Sequence, residues 1–191
     1  MPLAHTLVAE PIQRRSEPST FPALVEQYKR PLYALAYDLT GNHHDAEDLS
    51  QEVFIKAYRG MADFRGEAQV YSWLYRIAVN TFLNKRRKKA LRFRQLWDDF
   101  SQAPRDADSQ PETDRQAEAD VMRRHVETAL KQLSPRERSA FVLRHYQDLS
   151  LREVADTMDV AEGTVKSLLF RAAQKLRTAL AFYREDLGLP G

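Results

Sequence analysis

The chain has 191 residues, 43% of them apolar, with a formal net charge of +2, only 6 glycines and no cysteine. Disulfides and thiolate–metal chemistry are therefore excluded, a Gly-rich nucleotide fold is disfavoured, and the length suits one large domain or two small ones. No apolar run is long enough to cross a bilayer, and MPLAHTLVAEPIQRR lacks the basic start and long apolar core of a secretory signal, so a soluble cytoplasmic protein without membrane insertion is the expectation.

Residues 1–20 carry two internal prolines and no sustained period, and read as a flexible tail. From Phe21, apolar residues recur at helical spacing through Leu24, Val25, Tyr28, Leu32, Leu35, Ala36 and Leu39. Pro31 falls inside this pattern and predicts a break or kink near Lys29–Arg30. Gly41 suits the position just past a helix end. Asn42 is a good N-cap for the next helix, with Asp45 and Glu47 near its positive end. Its core stripe is Ala46, Leu49, Val53 and Ala57, and Asp48, Gln51, Glu52 and Ile55 occupy other faces. Gly60 ends it, and Met61–Gln69 is a short element and loop.

The stretch Phe64–Lys89, FRGEAQVYSWLYRIAVNTFLNKRRKK, carries the most pointed chemistry. No acidic residue occurs between Glu67 and Asp98. At 100° per residue, Leu74, Tyr75, Ala78, Val79 and Phe82 share one side of a helix beginning near Ser72. Arg76, Asn80, Asn84 and Arg87 share another, with Trp73 and Ile77 at its edge. Arginine attracts phosphate, asparagine offers a base edge both a donor and an acceptor, and aromatics such as Tyr71, Trp73 and Tyr75 stack on bases. An amphipathic helix with core aromatics accounts for Trp73 and Leu74 taken alone. The whole constellation points to nucleic acid.

Residues 94–119 are acidic and proline-interrupted, and read as a flexible linker. Some 25 residues give an average reach of about 28 Å at ~5–6 Å × √n, enough to separate two DNA contacts. Trp97 and Phe100 within it are expected to pack locally.

The second domain, residues 120–187, opens with a helix carrying Val121, His125, Val126, Ala129, Leu130 and Leu133. Ser134-Pro135-Arg136-Glu137 and Ser150-Leu151-Arg152-Glu153 are capping boxes, and Leu149 with Val154 forms a hydrophobic staple. The helix from Leu151 ends near Asp159, a tight turn follows, and a longer helix starts at Glu162. This is a helix-turn-helix pattern. Val165, Leu168, Leu169, Ala172 and Leu176 form the buried side of the last helix. Ser167, Phe170, Arg171 and Gln174, flanked by Thr164 and Lys166, form the opposite side. They supply the donors, the cation and the apolar group that a recognition helix uses in a major groove.

DAEDLSQEVFIKAYRG, the stretch from Phe64, and LSPRERSAFVLRHYQDLSLREVADTMDVAEGTVKSLLFRAAQKL together resemble a bacterial sigma factor of the extracytoplasmic-function (ECF) type, over Phe21–Leu180 and in the family's order. The resemblance implies an all-α protein of two small helical domains joined by a flexible acidic linker, residues 21–93 corresponding to region 2 and residues 120–187 to region 4, with no cofactor, metal or small-molecule substrate. It implies binding of core RNA polymerase through the β′ clamp helices, with Asp45, Asp48, Gln51, Glu52 and Ile55 as contacts, and through the β flap. It implies minus-10 recognition of melted single-stranded DNA, where a flipped base is held by the loop Phe64, Arg65, Gly66, Glu67, Ala68, Gln69 and the helix behind it. Asn80 matches a position that helps read that base, and Arg76, Asn84, Lys85, Arg87 and Lys88 extend the DNA face along the same helix. It implies minus-35 duplex recognition by Thr164, Lys166, Ser167, Phe170, Arg171 and Gln174. Leu168 stands where many relatives have arginine. An anti-sigma factor, often membrane-anchored in this family, is an implied partner.

Two other classes compete. A conventional dimeric helix-turn-helix regulator would bind a two-fold symmetric duplex without polymerase, but it leaves Asp45–Gly60 and the Asn80 stripe without a role. An enzyme or metal protein rests on His43-His44-Asp45, yet adjacent helix positions point about 100° apart, so the two histidines do not easily share one metal. No phosphate loop, nucleophile triad or convergent carboxylate pair appears, and no catalytic residue is expected.

Overall fold

The computed structural model describes residues 20–61, 69–97 and 117–181. Within them lie seven α-helices and no strand: α1 (Phe21–Thr40), α2 (His43–Gly60), α3 (Val70–Trp97), α4 (Ala117–Lys131), α5 (Pro135–His145), α6 (Leu151–Met158) and α7 (Glu162–Ala179).

Local chemistry sets most helix ends. The Thr20 side chain accepts from the Ala23 N–H at 3.4 Å, so the residue read as the end of the tail is the N-cap of α1. Gly41 terminates α1 in the left-handed region, φ 78°, and its N–H donates to the Tyr37 carbonyl at 2.8 Å. Asn42 caps α2 by accepting from the Asp45 N–H at 2.8 Å. Both expected capping boxes form: Ser134 pairs reciprocally with Glu137, and Ser150 with Glu153. Each such cap contributes ~1 kcal/mol.

The break expected at Lys29–Arg30 does not occur, and α1 runs through Pro31 as one helix. An interior proline costs ~3 kcal/mol, whereas each fully buried leucine contributes ~1.5–3 kcal/mol. Leu24, Leu32, Leu35 and Leu39 straddle Pro31 and are at most 2% exposed, so packing outweighs the local penalty. Helix also extends into both ends of the stretch read as linker: α3 continues to Trp97 and α4 begins at Ala117. The remainder of that stretch, Phe100 included, lies outside the described residues, as do the side chains of Trp97 and Val121.

Helices α1, α2 and α3 pack on one another, and α5, α6 and α7 form the helix-turn-helix unit, with α4 against α7. The two groups also meet. Helix α6 lies against α3, and α5 touches both α1 and α3. The main core is consequently continuous: Leu35, Leu39, Leu74 and Ala78 share one cluster with Leu143, Leu149, Val154 and Met158. Leu149 and Val154, the expected staple, are both buried within it. A smaller cluster of Leu130, Leu133 and Ala172 holds α4 to α7.

Candidate nucleic-acid interface

Three faces carry the candidate residues. On α3 the sequence pattern separates as expected. Leu74, Tyr75, Ala78, Val79 and Phe82 are at most 3% exposed, while Arg76, Asn80, Asn84, Arg87 and Lys88 all stand in solvent. Trp73 and Ile77 are half-buried at the edge, and Trp73 packs against Gly60, where an added Cβ would lie 3.5 Å from the indole. Lys85 is exposed but engaged: its Nζ lies 3.0 Å from Glu52 of α2. Arg86 lies over the Phe82 ring at 5.4 Å and is less exposed than its neighbours. Gln69 precedes the helix, and its carbonyl accepts from the Trp73 N–H at 3.2 Å. Phe64, Arg65, Gly66, Glu67 and Ala68 lie outside the described residues.

On α2, Asp45, Asp48, Gln51 and Ile55 are exposed along one side, Ile55 by 52%. Asp45 also accepts from the Asn42 amide at 2.9 Å. Glu52 differs from these four. It is half-buried between Lys56 at 2.8 Å and Lys85 at 3.0 Å. Desolvation raises its carboxyl, but hydrogen bonds from the two lysines outweigh that and hold it below the usual carboxylate range. Glu52 thus links α2 to α3. Tyr58, 66% exposed and in edge contact with Phe21, enlarges the apolar part of the α2 face beyond what the sequence pattern suggested. The signal was present in its spacing, three residues after Ile55.

The His43-His44-Asp45 run has separate engagements. His43 Nδ1 lies 2.7 Å from the Tyr33 hydroxyl with its ring against Tyr37, and His44 approaches Asp48 at 3.8 Å.

On α7, Val165, Leu168 and Ala172 are buried, so Leu168 belongs to the core; Leu169 and Leu176 are only half-buried. Thr164, Lys166, Ser167, Phe170, Arg171 and Gln174 are exposed, Phe170 by 64%. Lys166, Ser167, Phe170 and Arg171 line one open hollow. The Ser167 hydroxyl donates to the Gly163 carbonyl at 2.9 Å, leaving its lone pairs to the outside. Arg171 Nε stands 3.5 Å from Glu137 of α5, which Lys175 also grips at 2.7 Å. Burial raises the Glu137 carboxyl, but bonds from Lys175 and Ser134 keep it below the usual range, so it stays charged beside the helix that carries Phe170 and Arg171.

Another hollow joins the two halves of the molecule. It is lined by Arg76 and Asn80 of α3 and by Ala155, Asp156, Asp159, Val160 and Ala161 of α6 and the following turn. Asp159 adopts the left-handed conformation, φ 53°, that ends α6. Also between the two halves, Arg138 of α5 is 5% exposed, and its Nε donates to the Asp38 carbonyl at 2.9 Å. The Tyr75 hydroxyl donates to Gln147 at 2.6 Å, and Gln147 in turn donates to the Asp38 carboxylate at 3.4 Å. Sequence reasoning did not find Arg138 or Gln147. A signal existed for Arg138, which falls four residues before Val142 on a buried stripe.

Among the described residues, no helix is long and apolar enough to cross a membrane.

Residues 24–92 match the family model for sigma-70 region 2, and residues 129–178 match that for sigma-70, region 4. The chain is 39% identical over 167 residues to the ECF RNA polymerase sigma factor SigE of Mycolicibacterium smegmatis, covering 85% of this chain and 62% of that one, less than two thirds of its length. It is 31% identical over 183 residues to the RNA polymerase sigma-H factor of Pseudomonas aeruginosa, covering 87% and 89% of the two chains. Among solved structures, the sigma factor RpoE in complex with the anti-sigma factor NepR from Bartonella quintana matches with a TM-score of 0.63 and 26% identity, over 84% of this chain and 96% of that one. CnrH in complex with the cytosolic domain of CnrY shares the fold, with a TM-score of 0.57 and 23% identity over 84% and 87% of the two chains.

Proposed function

The chain belongs to the ECF sigma factors of the sigma-70 family, and on that premise we propose that it binds core RNA polymerase in the cytoplasm and directs it to promoters. The observation that carries the reading is the division of α3, which buries one side and presents Arg76, Asn80, Asn84 and Arg87 on the other. A solvated surface helix would mix acidic residues among these; this one has none from Ala68 to Trp97.

In this reading Asn80 contributes to holding a flipped non-template base of the minus-10 element, Arg76, Asn84, Arg87 and Lys88 hold phosphates, and the loop Phe64–Gln69 completes the pocket. Flipping costs a few kcal/mol, which stacking and edge hydrogen bonds offset. The exposed face of α7 reads the minus-35 duplex through Phe170 and Arg171, with Thr164, Lys166, Ser167 and Gln174 around them. Asp45, Asp48, Gln51 and Ile55 meet the β′ clamp helices. Glu52 acts from behind, by fixing Lys56 and Lys85. The chain itself carries no catalytic step; phosphodiester chemistry belongs to the polymerase. The likeness to a sigma factor solved with its anti-sigma factor supports an anti-sigma partner here as well.

The test is in vitro transcription on fragmented genomic DNA, with core polymerase in the presence and absence of the chain. The expected result is a set of new starts preceded by a shared two-part motif. Binding to a palindromic duplex without polymerase, and no new starts, would replace this reading with the dimeric regulator.

A further inference from the structure

The face of α3 that carries Arg76 and Asn80 has no buried role, yet it is not open. Helix α6 and its turn stand beside it and bring Asp156 and Asp159 into the same hollow. Two carboxylates therefore stand beside an arginine and an asparagine, where an incoming strand would place phosphates. An approaching DNA backbone meets like charge there and has to displace a packed helix.

What holds α6 in place is specific. The Tyr71 hydroxyl donates to Glu153 at 3.4 Å, and α3 shares its apolar cluster with Val154 and Met158. Arg138 and Gln147 reach out of the helix-turn-helix unit toward the first three helices. Their bonds to the Asp38 carbonyl, the Asp38 carboxylate and the Tyr75 hydroxyl all cross between the two units. The Arg138 guanidinium also covers Gly41, where an added Cβ would sit 2.9 Å from Nη2. By contrast, the hollow of α7 lined by Phe170 and Arg171 includes no residue of the first three helices.

We propose that the free chain masks its own single-strand-reading face: the helix-turn-helix unit docks on α3 with Asp156 and Asp159 as internal substitutes for phosphate, and Arg138 and Gln147 latch it there. The inference rests on the minus-10 role of α3 given above. It makes unlatching a necessary step before melted DNA is bound, while the duplex-reading face of α7 stays available throughout.

The absence of cysteine makes the test direct. Tyr71→Cys with Glu153→Cys in the full chain takes either two spin labels or a reducible bis-maleimide tether. Spin labels on the free chain should report one short distance population. Adding Arg138→Ala, or Gln147→Ala if that variant fails to fold, should shift the population to longer distances. A long distance in the free chain without either latch substitution overturns the proposal, whatever the chain's role in transcription. With core polymerase, the tethered chain should give transcripts reduced about tenfold or more, restored when the tether is reduced. Equal transcription with the tether intact and cleaved also overturns it. If neither form nor the parent chain supports transcription, it is the sigma reading that fails, and the distance measurement still decides closure. Asp156→Asn with Asp159→Asn keeps the left-handed turn, which asparagine tolerates. It should raise the free chain's affinity for a single-stranded minus-10 oligonucleotide about tenfold; an unchanged affinity would remove the carboxylates from the mask.

Discussion

Arg171 is tethered at its base by Glu137: its Nε lies 3.5 Å from a carboxylate whose side chain is only 6% exposed. An arginine engaged through Nε keeps its two terminal amino groups for a bidentate contact and loses less freedom when it makes one. Arg171→Ala should weaken minus-35 recognition by ~1–3 kcal/mol and relax the preference at one position. Glu137→Gln retains a capping residue but removes the charge, and should give a smaller loss that vanishes in the Arg171→Ala background. Competition binding of the polymerase complex to minus-35 variants measures both; unchanged sequence preference in Arg171→Ala would rule out base reading.

Asn80→Ala should impair use of the minus-10 element while leaving polymerase binding intact, because Asn80 is exposed and contributes nothing to the core. Co-purification with core polymerase and transcription from a forked template separate the two effects. Loss of both together would indicate a folding defect.

The basic end of α3 is not uniform. Arg87 and Lys88 are exposed, whereas Lys85 is paired with Glu52. Alanine at Arg87 and Lys88 should flatten the salt dependence of promoter-complex affinity, by roughly 0.7–0.9 in the log–log slope for each phosphate no longer neutralised. Lys85→Ala should instead change polymerase affinity, since it frees Glu52 beside the α2 face. A titration from low to high salt distinguishes them.

Stability should carry a pH-dependent component from Asp38. Desolvation pushes its carboxyl up from 3.8 to about 7, against the opposing influence of the Arg138 charge and the Gln147 hydrogen bond. Tyr75 and Tyr146 face it too, and burial raises their phenols, with the Asp38 charge adding to the effect; Tyr37 is raised by burial and by Glu127, with Asp38 contributing least. The folded pKa lies above the unfolded one, so the stabilisation is fully present below about pH 4 and is lost as pH rises towards 7. Glu52, Glu137 and Glu153 are shifted the other way, and their contributions fade only as pH falls below their ordinary range near 4.5. Denaturant unfolding between pH 4 and 8 should show Asp38→Asn less pH-sensitive than the parent chain; parallel curves would contradict the assignment.

The sequence announced the parts of this protein that are local. Caps at Asn42, Ser134 and Ser150 work through residues three positions away, and the two stripes of α3 follow from helical geometry alone. Pro31 misled because the penalty is local while the compensation is tertiary, spread over leucines packed against other helices. The meeting of the two halves was invisible for the same reason. Arg138 and Asp38 are separated by 100 residues, and no periodicity relates them. Glu52 was legible as a carboxylate on α2, but its pairing with Lys85 was not, because that lysine belongs to the next helix.

Because α3 and α6 belong to one polypeptide, their docking is a unimolecular event with an effective concentration in the millimolar range for a short connection. A contact far too weak to hold two separate proteins together still keeps this one shut. The same arithmetic makes it easy to open: a surface that binds either half with micromolar affinity outcompetes it. Cutting the chain between Trp97 and Ala117 would therefore uncouple the halves at ordinary working concentrations without altering a single residue of the interface.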